Sequence, residues 1–201
     1  MIIGVAALLR ASDQWIFELQ KRSKWTQTAA GEVQIGLGCI GGSVEAGESL
    51  LAALRREAWE EIGCQIEVNE PSSASPFLVH PDFSIAELSA GDKEAPVVFF
   101  WQANKPGYVQ EARVAVFSGT VRGAIQVGDL PGILCLEMRT LLQLNHRRLT
   151  VGEIMQGGAR LMEKEEIPRA AVLTPVGTVE VLLALHRGMP SRLAQCGVDF
   201  S

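Results

Sequence analysis

The sequence predicts an α+β layered domain built on a mixed β-sheet. Three observations carry that prediction: strand-like runs come first, one long amphipathic helix interrupts them near residue 50, and helical runs gather at the end. The length of 201 residues suits one domain with a core of its own. An apolar share of 47% belongs to a folded chain, not a disordered one.

Taken in order, "IIGVAALL" and "QWIFELQ" read as a strand pair joined through "RASD". The glycine-rich "GEVQIGLGCIGG" leads a third short strand into the helix. Beyond the helix, "CQIEV", "SPFLVH", "APVVFFWQ" and "ARVAVFSGTV" are strands, with Pro71, Pro76, Pro81, Pro96 and Pro106 between them or at their edges, where proline is tolerated. The chain then turns helical in "EMRTLLQLNHRR", "VGEIMQGGARL" and "TVEVLLALHRG", the last having the clearest helical period. No repeat, low-complexity tract or linker divides it. The expectation is a single domain over residues 1–201, with a core of about 1–149 and a C-terminal helical segment over 150–201. That segment is expected to serve a homodimer or to cover a substrate cleft, on the strength of its apolar "VEVLLALH" run.

Composition excludes several classes of partner. The net charge is −5, and no Lys/Arg block exceeds a pair such as Arg55-Arg56 or Arg147-Arg148, which argues against duplex nucleic acid and anionic membranes. The opening "MIIGVAALL" is short, lacks a basic region before it and reads as a buried strand, not as a signal peptide. No window approaches the roughly eighteen apolar residues that span a bilayer. Cys39, Cys64, Cys135 and Cys196 are scattered without a C-x-x-C pair, which predicts reduced thiols in a cytoplasm, with neither a zinc site nor a disulfide frame.

The chemistry gathers on the central helix. Placed on a helix from Glu48 to Ile62, residues Leu51, Leu54, Ala58 and Ile62 form one apolar stripe, and Glu57, Glu60 and Glu61 form a shoulder of carboxylates beside it. A solvated acidic face is the ordinary reading of such a charge run. Its placement argues otherwise, because like charges at i, i+4 repel and acidic groups late in a helix meet the negative end of its dipole. A hard divalent cation such as Mg²⁺, which takes oxygen ligands, would reverse both penalties. Glycines 41 and 42 allow a tight loop whose carbonyl can point at a metal, Gly63 stops the helix, and Arg56 can hold a neighbouring carboxylate.

Gly42, five residues, Glu48, seven residues, Arg56-Glu57, an apolar residue, any residue, Glu60-Glu61, any residue, Gly63 and a last apolar residue together resemble the Nudix box, the signature of the Nudix hydrolases. All seven fixed positions match, and chance would produce this in such a chain on the order of once in a million. Ala58, Cys64 and Ile40 depart from the usual branched aliphatics and proline, which touches local packing and not the chemistry.

The resemblance implies an α/β/α sandwich with a mixed sheet and a central catalytic helix. It implies hydrolysis of a nucleoside diphosphate linked to another group by attack of water on phosphorus, with a small nucleotide-type diphosphate as substrate. It also implies Mg²⁺, with Mn²⁺ as an alternative, held by Glu57, Glu60, Glu61 and the Gly41 carbonyl, while Glu48 and Arg56 orient the cluster. A general base is implied among the box glutamates or on a distant loop, where Glu94 and Glu111 are candidates and, as readily, plain surface residues. Trp25, Trp101 and Tyr108 are candidates to stack on a base, and Arg22 or Lys24 to meet a phosphate, although aromatic residues in strands are more often core. His80, His146 and His186 show no metal or triad spacing. A non-catalytic Nudix-fold nucleotide sensor is the rival reading, and it would be expected to lose box carboxylates that this chain keeps. An isoprenyl diphosphate isomerase on the same fold lacks a Cys-Glu arrangement here.

Overall fold

The computed structural model describes residues 1–70, 76–88, 96–103 and 112–195. Its strands are β1 (Ile2–Ala11), β2 (Gln14–Leu19), β3 (Thr26–Gln27), β4 (Val33–Gly38), β5 (Ile40–Ser43), β6 (Gln65–Val68), β7 (Phe77–Val79), β8 (Ile85–Glu87), β9 (Phe99–Gln102), β10 (Arg113–Arg122), β11 (Gly132–Leu136), β12 (Arg160–Glu163) and β13 (Val172–Pro175). Helices are α1 (Leu50–Ile62), α2 (Met138–Leu142), α3 (Val151–Gln156), α4 (Thr178–Gly188) and α5 (Pro190–Gln195).

One mixed sheet runs in the order β12-β11-β2-β1-β10-β9-β7-β8. Its centre is the parallel pair β1 and β10, in register from Val5 opposite Ala115 to Arg10 opposite Thr120. The antiparallel β5 lies against the first half of β1, setting Gly41 opposite Ala6 and Gly42 opposite Val5. Both faces of β1 are covered, so its sequence reads as an unbroken apolar run instead of an alternation.

The pleat sends alternate residues to two cores. Val5, Ala7, Leu9, Ile16, Ala115, Phe117, Ile133 and Cys135 meet Ala53, Leu54, Ala58 and Ile62 of α1 on one face. Ala6, Leu8, Trp15, Phe17, Val116, Leu134 and Leu136 meet the C-terminal elements on the other. Sheet and covering layers make the α/β/α sandwich expected above.

Helix α1 begins where Ser49 caps it, its hydroxyl accepting from the Ala52 N–H at 3.2 Å, and ends at Gly63 in the left-handed conformation. Leu54, Ala58 and Ile62 are fully buried as predicted, whereas Leu51 is only half-buried and Ala53 takes the inner place. Glu61 turns inward with this face and is buried.

Beyond residue 150 the expectation of a helical segment needs correction, because strands β12 and β13 lie among its helices. Strand β12 pairs with β11, and β13 pairs in parallel with β4 from Val172 opposite Gln34. The helix expected over "VGEIMQGGARL" stops at Gln156, because Gly157 and Gly158 end it, and the chain continues extended as β12. The strand β11 was also not expected: "GILCL" is buried at every position and so shows no period-two alternation. The "VEVLLALH" run packs on the chain's own sheet through Val179, Val181, Leu182, Leu183 and Leu185.

Candidate active site

The chemistry depends on where α1 ends and how it is held there. Backbone N–H groups of Gln126, Gly128 and Asp129 donate to the carbonyls of Ile62, Glu61 and Glu60 at 2.9, 2.9 and 3.0 Å. A loop between β10 and β11 thus satisfies the open carbonyls of the helix and offsets the dipole penalty on its terminal carboxylates. Gly128 fits because any Cβ there would collide with the Glu60 carbonyl.

Arg56 gathers one set of carboxylates. Its Nε and Nη2 donate to the two oxygens of Glu48 at 3.1 Å each, its Nη1 donates to Glu57 Oε1 at 2.8 Å, and Nη2 also donates to the Ser43 carbonyl at 2.9 Å. Glu60 approaches the same Nη1 at 3.4 Å and is largely exposed. The hydrogen bonds from Arg56 hold the Glu48 carboxyl below its usual range and the guanidinium above its own.

Glu61 stands apart from that set. Its Oε2 accepts from the Gly41 N–H at 3.0 Å. Burial first, and then the charges of Glu18, Glu57 and Asp129, push its pKa up to about 9, against the opposing effect of the Gly41 bond. Gly41 has no substitute: its φ is +151°, and a Cβ would run into the Val5 carbonyl. At Gly42 a Cβ would occupy the place of the Glu57 carboxyl, so the glycine pair lets β5 lie directly under the helix.

Two acidic residues near this shoulder were not singled out from sequence. Glu18 of β2 has its pKa pushed up to about 7 by burial, opposed by Lys24 and Lys21 and reinforced by Asp129 and Glu57. Asp129 pairs with Lys21 at 2.6 Å. The signal for Glu18 was present, since a carboxylate interrupts the otherwise apolar "WIFEL" on the side shared with Ile16.

On the strand side of the glycine pair lies a cleft of about 410 Å³ whose lining includes Glu18, Gln20, Lys24, Gly41, Gly42, Trp101 and Gly177, with Glu57 and Glu61 reaching it only through their contacts with Gly42 and Gly41. A larger hollow of about 580 Å³ lies by Leu51, Arg55, Glu67 and Arg122 and does not touch Gly41 or Gly42. Of the other sequence candidates, Trp101 and Lys24 reach the cleft. Trp25 donates its indole N–H to the Gln20 carbonyl at 2.6 Å, and Arg22 stacks on that ring and pairs with Glu165 at 3.2 Å. Glu94, Tyr108 and Glu111 lie outside the described residues.

The donor chemistry fits a hard cation. The acidic side chains near the end of α1, Glu57, Glu60, Glu61 and Asp129, offer oxygen, and the Cys39 thiol in the cleft is driven by burial far toward its protonated form. Among the described residues no three His, Cys, Asp or Glu side chains already converge as a ligand set, since Arg56 engages Glu57 and Glu60.

Among solved structures, a hydrolase of the NUDIX family from Clostridium perfringens is 16% identical, with 69% of this chain and 82% of that one covered at a TM-score of 0.44. The E. coli ORF135 protein is 20% identical over 71% of this chain and 78% of that one, at a TM-score of 0.41. An ADP compounds hydrolase is 15% identical over 72% and 61%, at 0.42. Likeness at this level says nothing of substrate. No curated protein matches the sequence. The NUDIX domain model matches residues 2–130, well over half of the chain and the whole of the carboxylate-bearing helix, and the chain therefore belongs to the NUDIX family.

Proposed function

We propose that this hydrolase cleaves a nucleoside diphosphate linked to another group, using Mg²⁺, or Mn²⁺ in its place, held by Glu57, Glu60, Glu61 and the Gly41 carbonyl. The observation that carries the reading is Glu61: a buried carboxylate behind Gly41 of the cleft wall, with one N–H partner and three further carboxylates acting on it. Such a group lacks a counter-charge, and a hard divalent cation supplies one with the oxygen coordination on offer. When bound, the ion would neutralise charge on the diphosphate and lower the pKa of a coordinated water.

The chain's own residues have separable parts in this reading. Arg56 and Glu48 hold the shoulder and fix the direction of Glu57. The loop 126–129 fixes the end of α1. In the reaction one P–O bond forms from water, the bridging P–O bond breaks, and the proton of the water passes to solvent through a carboxylate. Residues 1–201 act as one unit, a reading supported by the pairing of β12 and β13 with strands β11 and β4. A cytoplasmic setting belongs to the same reading, supported by buried free thiols at Cys39, Cys64 and Cys135 and by the absence, among the described residues, of a helix long and apolar enough to cross a membrane.

The test is release of phosphate or nucleotide from a panel of diphosphate-linked nucleotides, with and without Mg²⁺, using wild type and Glu61→Gln. Metal-dependent cleavage lost in the variant is expected. Nucleotide binding with no turnover in wild type would contradict hydrolysis and favour a sensor.

A further inference from the structure

The far wall of the cleft comes from a part of the chain outside the residues that match the family model. Strand β13 runs parallel to β4 as far as Pro175 opposite Leu37, and the Val176 N–H then donates to the Leu37 carbonyl at 3.0 Å. This carries Val176, Gly177 and Thr178 into the lining of the same cleft as Gly41 and Gly42. Gly177 turns the chain into α4 with φ +55° and ψ −123°, a backbone conformation that a side chain would strain.

Thr178 is buried, 4% exposed, and its Oγ1 accepts the indole N–H of Trp101 at 3.0 Å. One side chain of the C-terminal segment therefore orients an aromatic ring that stands on β9, 77 residues earlier in the chain. A Cβ added at Gly177 would come to 3.7 Å from that ring, so the turn lies beside the indole. With its N–H satisfied, the indole has only apolar ring surface left to offer the cleft.

The remaining lining suits a flat group. Gly4, Gly38, Gly41, Gly42 and Gly177 present backbone without side chains, and the Gln20 amide carries both a donor and an acceptor. Lys24 is the cation of the lining. Glu18 and Lys24 supply charge at one part of the lining, and beside Trp101 a planar heteroaromatic ring finds an apolar face and a polar edge.

We propose that Thr178 is a specificity-determining residue: by fixing the indole of Trp101, it makes one face of a slot that takes the aromatic base of the nucleotide. The inference rests on the hydrolase reading above for the identity of its ligand, and it deepens that reading by naming which residues select the base. Thr178 acts through Trp101, so it is a positioning residue, and Trp101 is the group that touches the base.

The experiment follows the indole N–H resonances of ¹⁵N-labelled protein, with the Trp101 signal assigned by its loss in Trp101→Phe. ADP and inorganic pyrophosphate are titrated separately into wild type, Thr178→Val and Thr178→Ser. The expected result is a shift of the Trp101 signal with ADP but not with pyrophosphate. Weaker ADP binding by about tenfold is expected in Thr178→Val, with recovery in Thr178→Ser, which keeps the acceptor, and pyrophosphate binding should be the same in all three. Where turnover is measured on the best substrate of the panel, Thr178→Val should raise KM and leave kcat within about twofold. A Trp101 signal indifferent to ADP, or shifted equally by pyrophosphate, would overturn the proposal. So would a Thr178→Val protein that is folded by circular dichroism and binds ADP as wild type does. These outcomes separate from failure of the hydrolase reading: ADP at Trp101 without turnover would sink hydrolysis alone, and turnover lost in Glu61→Gln with no ADP effect at Trp101 would sink this inference alone.

Discussion

The two faces of the sheet are covered in different ways. On one, a single helix of thirteen residues does the covering, and small residues at the contact, Ala7, Ala53, Ala58 and Ala115, let it lie close enough for Glu61 to reach the backbone of Gly41. On the other, several short elements spread over residues 138–195 share the work with larger side chains such as Trp15 and Phe17. The first face is covered by one element whose form is set locally, although it packs on strands as distant as β10 and β11, and the second is covered by elements held through pairings across the whole chain. Chemistry sits where the local arrangement is tight, and the distant segment contributes the wall opposite.

The largest effect should come from Glu61→Gln, which removes a carboxylate that a cation would bind and leaves the helix intact. Turnover should fall by orders of magnitude with little change in melting temperature, and an unchanged rate would place the metal elsewhere.

Core truncations probe each face directly. Leu54→Ala and Leu182→Ala each empty a fully buried site and should each cost about 2–5 kcal/mol in chemical denaturation. If only one face lost stability, the account of two complete cores would fail. Arg56→Lys keeps the charge but loses the forked contact with Glu48, and should weaken metal affinity by about 10–100-fold at nearly constant stability. Equal affinity would mean that Arg56 orients nothing.

The pH dependence follows from two carboxyls that hold their protons more tightly in the folded chain. Glu61 is raised from 4.5 to about 9, chiefly by burial, and Glu18 from 4.5 to about 7, again chiefly by burial. The folded state therefore binds more protons than the unfolded one between those values. This contribution to stability is full below about pH 4.5 and is lost as the pH rises toward about 7 and then 9. Metal-free protein should melt at falling temperatures across that window, and added Mg²⁺ should restore more stability at its upper end than at its lower. A flat profile in Glu61→Gln and Glu18→Gln together would identify the groups, whereas an unchanged slope would exclude them. The smallest effect expected is that of Ser49→Ala, about 1 kcal/mol from loss of the α1 cap.

How much of this was legible in the sequence divides along the same line. The end of α1 at Gly63 and its stripe of Leu54, Ala58 and Ile62 were readable from a stop residue and from spacings of four, and Arg56 was readable as the neighbour that holds a carboxylate; its start was read two residues early, at Glu48, and Leu51 was placed on the buried stripe. Strands β12 and β13 were not readable, because each is four residues long and acquires its identity from a partner, β11 or β4, far away in sequence. Glu18 was overlooked because a carboxylate within an apolar strand acquires meaning only once β2 is known to face α1. The loop 126–129 carries no recognisable motif, since it works through backbone N–H groups, and its one sequence requirement, Gly128, has meaning only beside the Glu60 carbonyl. Trp101 and Thr178 were invisible as a pair for the same reason of distance.

The central claim is that the carboxylate shoulder of α1 holds a divalent cation through Glu61. Calorimetric titration of Mn²⁺ into metal-free wild type and Glu61→Gln tests it most directly. Binding by wild type that strengthens with pH and is abolished or strongly weakened in the variant is the result predicted here; equal affinity in both proteins would contradict it.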